Sequence, residues 1–466
     1  MHEFEIMSQR KEKTNMPLAN AHPKKRFFIE MFTRDIPLLD CVLDLIDNCV
    51  DGLARTGRLQ MHTISDDIFG KQSNKAPCEA DRPHVRVEFD AKRFRISDNC
   101  GGIDYKYALE DVFNFGHSTA RSKEYLGVYG VGMKRALFKM GDNFEIESKT
   151  ANSGFKCTLD VAEWMKRDAN MEDWTIPLTK VPAARTPKQA GTEIVVSPLK
   201  KEVADLLSSP RFESDLSKAI SRVYAFLVGK HLRISINDVD VKPFSIPVGE
   251  PREGQTSYEE FKQDGVKVRV FATLTSVGTE RPTKENSGWY VACNGRVILM
   301  ADTSELTGWG VNPMPIWVPK FTAFIGFVFF ESQNALELPW TTTKRSVNRE
   351  SAVYRKAISR MAVLARPILS FCNRKYPSDE DQEPIEREIA KQMKPTTLAN
   401  LVRKAGSAFE IEAPKEQKAK TTVRVQYDAN VSDMEKVRKH LRKPRMGATT
   451  IGEHTFDYFL RQEGLK

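Results

Sequence analysis

The sequence predicts an α+β protein whose N-terminal part folds as a two-layer α/β sandwich. Three observations carry this. Segments with apolar residues at three- and four-residue steps alternate with short runs in which apolar residues alternate, the mixture that packs helices on a sheet. Hydrophobic residues make up 40% of the chain, with 26 Gly and 24 Pro, which excludes collagen-like, low-complexity and disordered classes. The composition turns polar after about residue 375, so the globular part ends there and a small further unit follows.

The 466 residues allow roughly three domains at ~150 residues each. Lys and Arg number 71 against 62 Asp and Glu, a formal charge of +9, which permits a polyanionic partner without requiring one. Seven cysteines, at 41, 49, 78, 100, 157, 293 and 372, include no CxxC pair and leave an odd count. Neither a disulfide framework nor a common zinc spacing is indicated, and the expected compartment is reducing. The amino terminus has no apolar signal region, and the longest charge-free apolar stretch, Phe321 to Phe330, is too short to span a bilayer. The expectation is a soluble, cytoplasmic protein without a membrane partner.

Residues 1–26 are polar and end in Pro23-Lys24-Lys25-Arg26, the pattern of a mobile arm. The stretch Leu38 to Gly52 has apolar positions 39, 42, 46, 49 and 53, which predicts a helix facing a core. Strands are expected at 84–89, 93–96, 143–147 and 193–196, where apolar residues tend to alternate. A helix through Met133, Leu137 and Met140 should stop at Gly141, and another through 215–227 should be capped near Gly229. Strand-like runs at 232–236, 266–274, 288–293 and 322–330 and an apolar helix at 352–371 make a second domain, 206–375. Residues 376–420 read as polar linkers around one short helix, and 421–466 as a strand and two helices.

Three stretches point to chemistry. Asp44, Asn48 and Asp51, four and three apart, share a helix face where a carboxylate and an amide oxygen could meet a hydrated cation; a solvated acidic face fits the same spacing. Asp98-Asn99-Cys100-Gly101-Gly102 ends a strand with an acceptor and a turn able to approach a flat ligand, or forms a simple Asx or glycine turn. A polar segment from Gly116 runs into Gly127, Gly130 and Gly132 and then a helix, where exposed amides could bind an anion and Lys134 or Arg135 add charge. A structural hinge explains those glycines equally well, and the spacing is neither Walker A nor GxGxxG.

Taken in order, the three stretches resemble the Bergerat-type nucleotide fold of the GHKL superfamily, which includes gyrase B, MutL, the MORC proteins and histidine kinases. Residues 44–51 resemble the N box, which implies Asp44 as general base and Asn48 as Mg²⁺ ligand. Residues 98–102 resemble the DxGxG box, which implies that Asp98 reads adenine beside Gly102. Residues 127–132 resemble the second glycine box, which implies a phosphate site at Gly127, Gly130, Val131, Gly132, Met133 and Lys134 beneath a lid spanning roughly 111–131; Gly191-Thr192 resembles the later Gly-Thr, placing Thr192 near adenine. The resemblance implies a GHKL ATPase domain over 27–205 with ATP and Mg²⁺ as cofactors. It continues into 206–375, which is similar to the ribosomal-S5-like transducer domain of gyrase B, MutL and MORC. There Lys344, within Leu338 to Arg345, occupies the place of the lysine delivered to the γ-phosphate; a surface lysine after a turn is the plainer reading.

Two departures bear on activity. The family's base is usually Glu, and Asp44 is shorter by about 1.5 Å, enough for slow hydrolysis. Cys100 replaces the first glycine of the DxGxG box and adds a side chain where the backbone passes close to adenine; as a thiol it reads as buried and structural rather than as a redox sensor. His117 in the lid is either a phosphate contact or a solvated loop residue. In the small basic C-terminal domain, 421–466, Lys436, Lys439, Arg442, Lys443 and Arg445 are candidates for nucleic-acid phosphates, with the aromatic second helix packed beneath the first, or simply a solvated basic helix.

The resemblance implies a nucleotide-gated dimeric clamp or switch, an ATP-dependent homodimer with DNA as the favoured client, in surveillance or antiviral defence, with a separate effector protein as a further partner to look for. The alternatives are a chaperone-like or scaffolding ATPase acting on a protein, and a nucleotide-binding pseudoenzyme. A histidine kinase is disfavoured because no phosphoacceptor-helix domain precedes the boxes, and a topoisomerase because the tail is short for a strand-cleaving domain.

Overall fold

The computed structural model describes residues 24–71, 75–115, 126–127, 130–167, 174–246, 248–251, 256–275, 285–375, 393–402, 405–406 and 428–465. His117, most of the lid, residues 1–23 of the arm and the strand expected after 421 lie outside them.

The chain opens with α1 (Lys25–Arg34), α2 (Leu38–Arg55) and α3 (Ile64–Ile68), followed by β1 (His84–Phe89) and β2 (Phe94–Asp98). The expected arm therefore turns helical before residue 26. Lys25 is fully buried, its ammonium bonded to the Trp164 carbonyl at 2.8 Å and lying over the indole ring. After the glycine-rich segment come α4 (Gly132–Met140), β3 (Asn143–Lys149), β4 (Gly154–Asp160), α5 (Val161–Lys166), β5 (Thr179–Val181), β6 (Gly191–Val196), α6 (Lys201–Leu207), α7 (Pro210–Val223), β7 (Arg233–Ile236) and β8 (Val239–Asp240). These strands form one sheet in the order β5-β4-β3-β6-β2-β1-β7-β8, antiparallel except where β7 pairs parallel with β1.

Alternation along each strand makes this sheet two-faced. Val85, Val87, Phe94, Ile96, Phe144, Ile146, Ile194 and Val196 are buried in the core that α2 and α4 complete, while the other face carries ion pairs such as Arg95–Glu193 and Lys156–Glu145, each 2.7 Å. Helix α7 starts and stops earlier than its apolar pattern predicts. Pro210 supplies a preset first turn, and Tyr224 ends the helix. Its hydroxyl is drawn into the core, donating to Asp47 at 2.7 Å, and Gly229 (φ +86°) serves the turn into β7 instead of a helix cap.

Strands β9 (Val248–Pro251), β10 (Thr256–Gln263), β11 (Val266–Leu274), β12 (Gly288–Cys293), β13 (Arg296–Asp302) and β14 (Phe324–Glu331) precede the long helix α8 (Ala352–Lys375). The second sheet runs β13-β12-β14-β11-β10 and ends on β16 (Ala405–Gly406). Every residue of β12 and β14 is buried, because α8 covers one face while Phe69, Val248 and Leu401 pack on the other. The region expected to be linker is thus partly structural. Its predicted short helix is α9 (Leu398–Val402), but β15 (Met393–Thr396) before it pairs with β9, and β16 after it pairs with β10. Leu401, fully buried, is the apolar anchor that a polar average conceals.

Residues from Glu412 onward form a separate unit, whose described part is the hairpin α10 (Val431–His440) and α11 (Ala448–Gln462). Among the described residues no helix is long and apolar enough to cross a membrane.

Candidate active site

Helix α2 presents Asp44, Asn48 and Asp51 to one cavity, as their spacing predicts. Gly127, Gly130, Val131, Gly132 and Met133 line the opposite wall, and Thr342 and Lys344 reach in from the loop after the second sheet. This narrow end has a volume of about 80 Å³, room for a few water molecules. Arg55 and Tyr107 line both it and an adjoining recess of about 670 Å³ that includes Gly101 and Gly102.

The glycines answer to close approach. A Cβ on Gly132 would come 3.0 Å from the Asp44 carboxyl carbon, so any side chain there would press on that carboxylate. Gly102, at φ +71°, would place a Cβ 2.1 Å from the Lys149 carbonyl oxygen.

Asp51 is committed to the chain itself, accepting the amides of Leu126 (2.6 Å) and Gly127 (2.7 Å). Burial pushes its pKa up to about 6 against the pull of Arg55, Lys344 and the Gly127 amide. Asn48 is the opposite case: its Nδ2, closed off from solvent, has no hydrogen-bond partner among the described residues. Its Oδ1 faces Gly127. Asp44, 5% exposed, receives Arg135 Nη2 at 2.6 Å.

Lys134 does not offer the spare charge expected of it. Its ammonium donates to the carbonyls of Val112 (2.7 Å) and Asn114 (2.6 Å), at the start of the segment expected as a lid, and burial lowers its pKa to about 7. Asp98 and Thr192 sit behind Gly102 and line neither cavity. Asp98 accepts the Cys100 amide at 2.7 Å and the Thr192 amide, and burial raises its pKa above the usual carboxylate range. The Cys100 side chain is buried against α2 at Gly52, away from the recess, so it does not obstruct the turn; burial raises its thiol pKa well above the ordinary value.

Lys344 is no surface lysine. It is buried in a left-handed conformation (φ +54°), and its Nζ donates to Asp47 Oδ2 at 2.7 Å. Arg296 Nε reaches Asp47 Oδ1 at 3.0 Å and Arg296 Nη1 the Lys344 carbonyl at 2.7 Å. Burial alone would raise the Asp47 pKa, yet Arg296 and Lys344 hold it below the carboxylate range. The neighbouring Arg345 pairs with Asp40, so two cations of one loop grip α2.

The helix-borne acid and amide and the glycines of this constellation lie in a segment with a family match, while Lys344 lies outside it. Residues 38–192 match the family of histidine kinase-, DNA gyrase B-, and HSP90-like ATPases. They are a GHKL-type ATPase domain. Comparison with curated proteins returns no match. A GHKL domain supports ATP binding, and GHKL ATPases in general bind ATP with Mg²⁺.

The GHKL domain depends on groups that sequence reading did not single out. Asp47 lies inside the N-box stretch but carries no local sign of its partners, since Arg296, Lys344 and Tyr224 come from far along the chain. Arg55 and Tyr107 line the cavity without belonging to any of the quoted motifs, and Thr342 lines it from the quoted loop Leu338 to Arg345 without having been singled out.

In the C-terminal unit, Lys436, Lys439, Arg442, Lys443 and Arg445 are all exposed. They do not share one helix face: α10 ends at His440, which leaves Arg442, Lys443 and Arg445 in the connecting turn. Nor does the aromatic helix pack beneath α10 as expected. Of α11 only Ile451 is buried, while Phe456, Tyr458 and Phe459 are more than half exposed, because they lie on faces that a two-helix hairpin does not cover.

Proposed function

We propose that this chain is a Mg²⁺-dependent, slowly hydrolysing ATPase that works as a nucleotide-gated dimeric switch. The observation that carries the reading is the meeting, in one cavity, of Asp44, the unpartnered Asn48 amide, the glycines before α4 and Lys344 from the second sheet region. Asn48 would hold Mg²⁺ through Oδ1, with phosphate oxygens completing the shell. Among the described residues no cluster of three or more acidic, His or Cys side chains offers a protein cage. The bound ion would screen the phosphate charges.

The protein's own groups do the rest. Gly130 and Gly132 leave the backbone open to the phosphates. Asp44 takes a proton from water, at a reach shortened by about 1.5 Å relative to Glu. Lys344 steadies charge developing at the terminal phosphate, and Asp98 and Thr192, which line neither cavity, brace the turn at Gly102 beside the recess proposed for adenine. Because Lys344 and Arg345 bind α2, a nucleotide that draws on Lys344 bears on the second sheet, the residues we assign as transducer-like.

GHKL members commonly dimerise. Light scattering tests the switch: dimer with a non-hydrolysable ATP analogue and Mg²⁺ but monomer with ADP supports it, and a nucleotide-independent mass favours a constitutive scaffold or pseudoenzyme.

DNA is the proposed client, in surveillance or defence, supported by the +9 charge and the exposed cations of the C-terminal unit. Binding through several phosphates falls steeply with salt. No DNA binding at low salt would instead favour a protein-remodelling ATPase.

A further inference from the structure

Four cations, Arg55, Lys134, Arg135 and Lys344, line the narrow end of the cavity, and they are held differently. Lys134 donates to two carbonyls, Lys344 to Asp47, and Arg55 Nη2 to the Gly102 carbonyl at 3.3 Å. Arg135 has one ion pair, Nη2 to Asp44 Oδ2 at 2.6 Å, and its Nε, closed off from solvent, has no partner among the described residues. Its guanidinium lies 5.9 Å from the Phe32 ring centre, a contact that tolerates rotation of the planar group. Arg135 and Asp44 thus meet where the cavity is narrowest, beside the glycines before α4.

We propose that Arg135 serves two acceptors in turn: it holds Asp44 when no triphosphate is bound, and moves to a terminal phosphate oxygen when one enters, leaving the Asp44 carboxylate open toward that phosphate. The proposal rests on the nucleotide reading above and adds to it the group that distinguishes a triphosphate from a diphosphate. A guanidinium suits the exchange, since its fork matches carboxylate and phosphate alike. Asp44 and the phosphate then compete for one cation, so the base is masked until the group it acts on has arrived. Arg135 is in this sense a positioning residue for Asp44.

The test is calorimetric titration of the full chain with Mg²⁺-ADP and with Mg²⁺-adenylyl imidodiphosphate, on wild type, Arg135→Met, Asp44→Asn and the double variant. Losing a charged hydrogen bond to phosphate should weaken the analogue by about 10- to 100-fold in Arg135→Met, while ADP affinity, which also reports an intact fold, stays where it was. Asp44→Asn should tighten the analogue and leave ADP alone, and that gain should vanish in the double variant. Equal weakening of both ligands in Arg135→Met, or a gain from Asp44→Asn that persists without Arg135, overturns the proposal. Should Arg135→Met not fold, Asp44→Asn alone decides, since an unchanged preference for the analogue over ADP overturns it. Wild type that binds neither nucleotide removes the nucleotide reading itself, a different failure from wild type that binds both with a preference indifferent to Arg135.

Discussion

The Lys344 ammonium lies 2.7 Å from an Asp47 carboxylate that solvent does not reach, across 297 positions of sequence. Asp47 also takes Arg296 and the Tyr224 hydroxyl, so one carboxylate of the N-box helix gathers groups from the cap of α7, from β13 and from the loop after β14. Lys344→Met should lower stability by roughly 3 kcal/mol, because it strands part of a buried charge. Adding Asp47→Asn should deepen the loss in urea denaturation, because it leaves Arg296 buried without its carboxylate, but by less than the sum of the two single losses. Strictly additive losses in the double variant would mean that the pair is not coupled.

Asn48→Ala separates function from folding. The Nδ2 makes no hydrogen bond among the described residues, so truncation should change stability by less than ~1 kcal/mol. Mg²⁺-ATP binding, followed by titration calorimetry, should disappear. Retained affinity would sink the assignment of Asn48.

Lys134 gives a pH signature. Its pKa falls from 10.5 unfolded to about 7 folded through burial, so the native state releases a proton that the unfolded chain keeps. Its contribution is therefore greatest above 10.5 and is lost as pH falls toward and through 7. The stability difference between wild type and Lys134→Met should grow as pH is raised from 7 to 10, by up to a few kcal/mol. A flat difference across that window would place the lysine in water.

Gly102→Ala tests the turn beside the recess. The added methyl would meet the Lys149 carbonyl at 2.1 Å in a left-handed backbone, so a loss of ~2 kcal/mol or more is expected from thermal melts. A neutral substitution would show that the turn can relax.

Much of this was legible in sequence wherever the signal was local. The steps 42, 46, 49 and 53 place α2 against the core, and Asp44, Asn48 and Asp51 reach one cavity as their spacing requires. Alternation finds β1, β2, β3 and β6, and strand-like runs find β7, β11, β12 and β14. What stayed hidden are relations between distant residues. Nothing near Arg233 says that β7 will pair with β1, nothing near Asp44 says that Arg135 will hold it, and Lys134 reads as spare charge until Val112 and Asn114 stand beside it. The linker around Leu401 was missed because one buried leucine between two short strands leaves no period to read.

The parallel pairing of β7 with β1 also bears on synthesis and on truncation. A chain released after Thr192 would carry every motif of the matched segment, yet His84 to Val87 would face water as an open strand edge, and Asp47 would be buried with neither cation. During translation the first sheet must wait for Ile236 and the N-box helix for Lys344 before either is electrically and geometrically closed. Autonomy thus belongs to the two-sheet body, and a fragment cut at the motif boundary should be sought among aggregates before it is assayed as an enzyme.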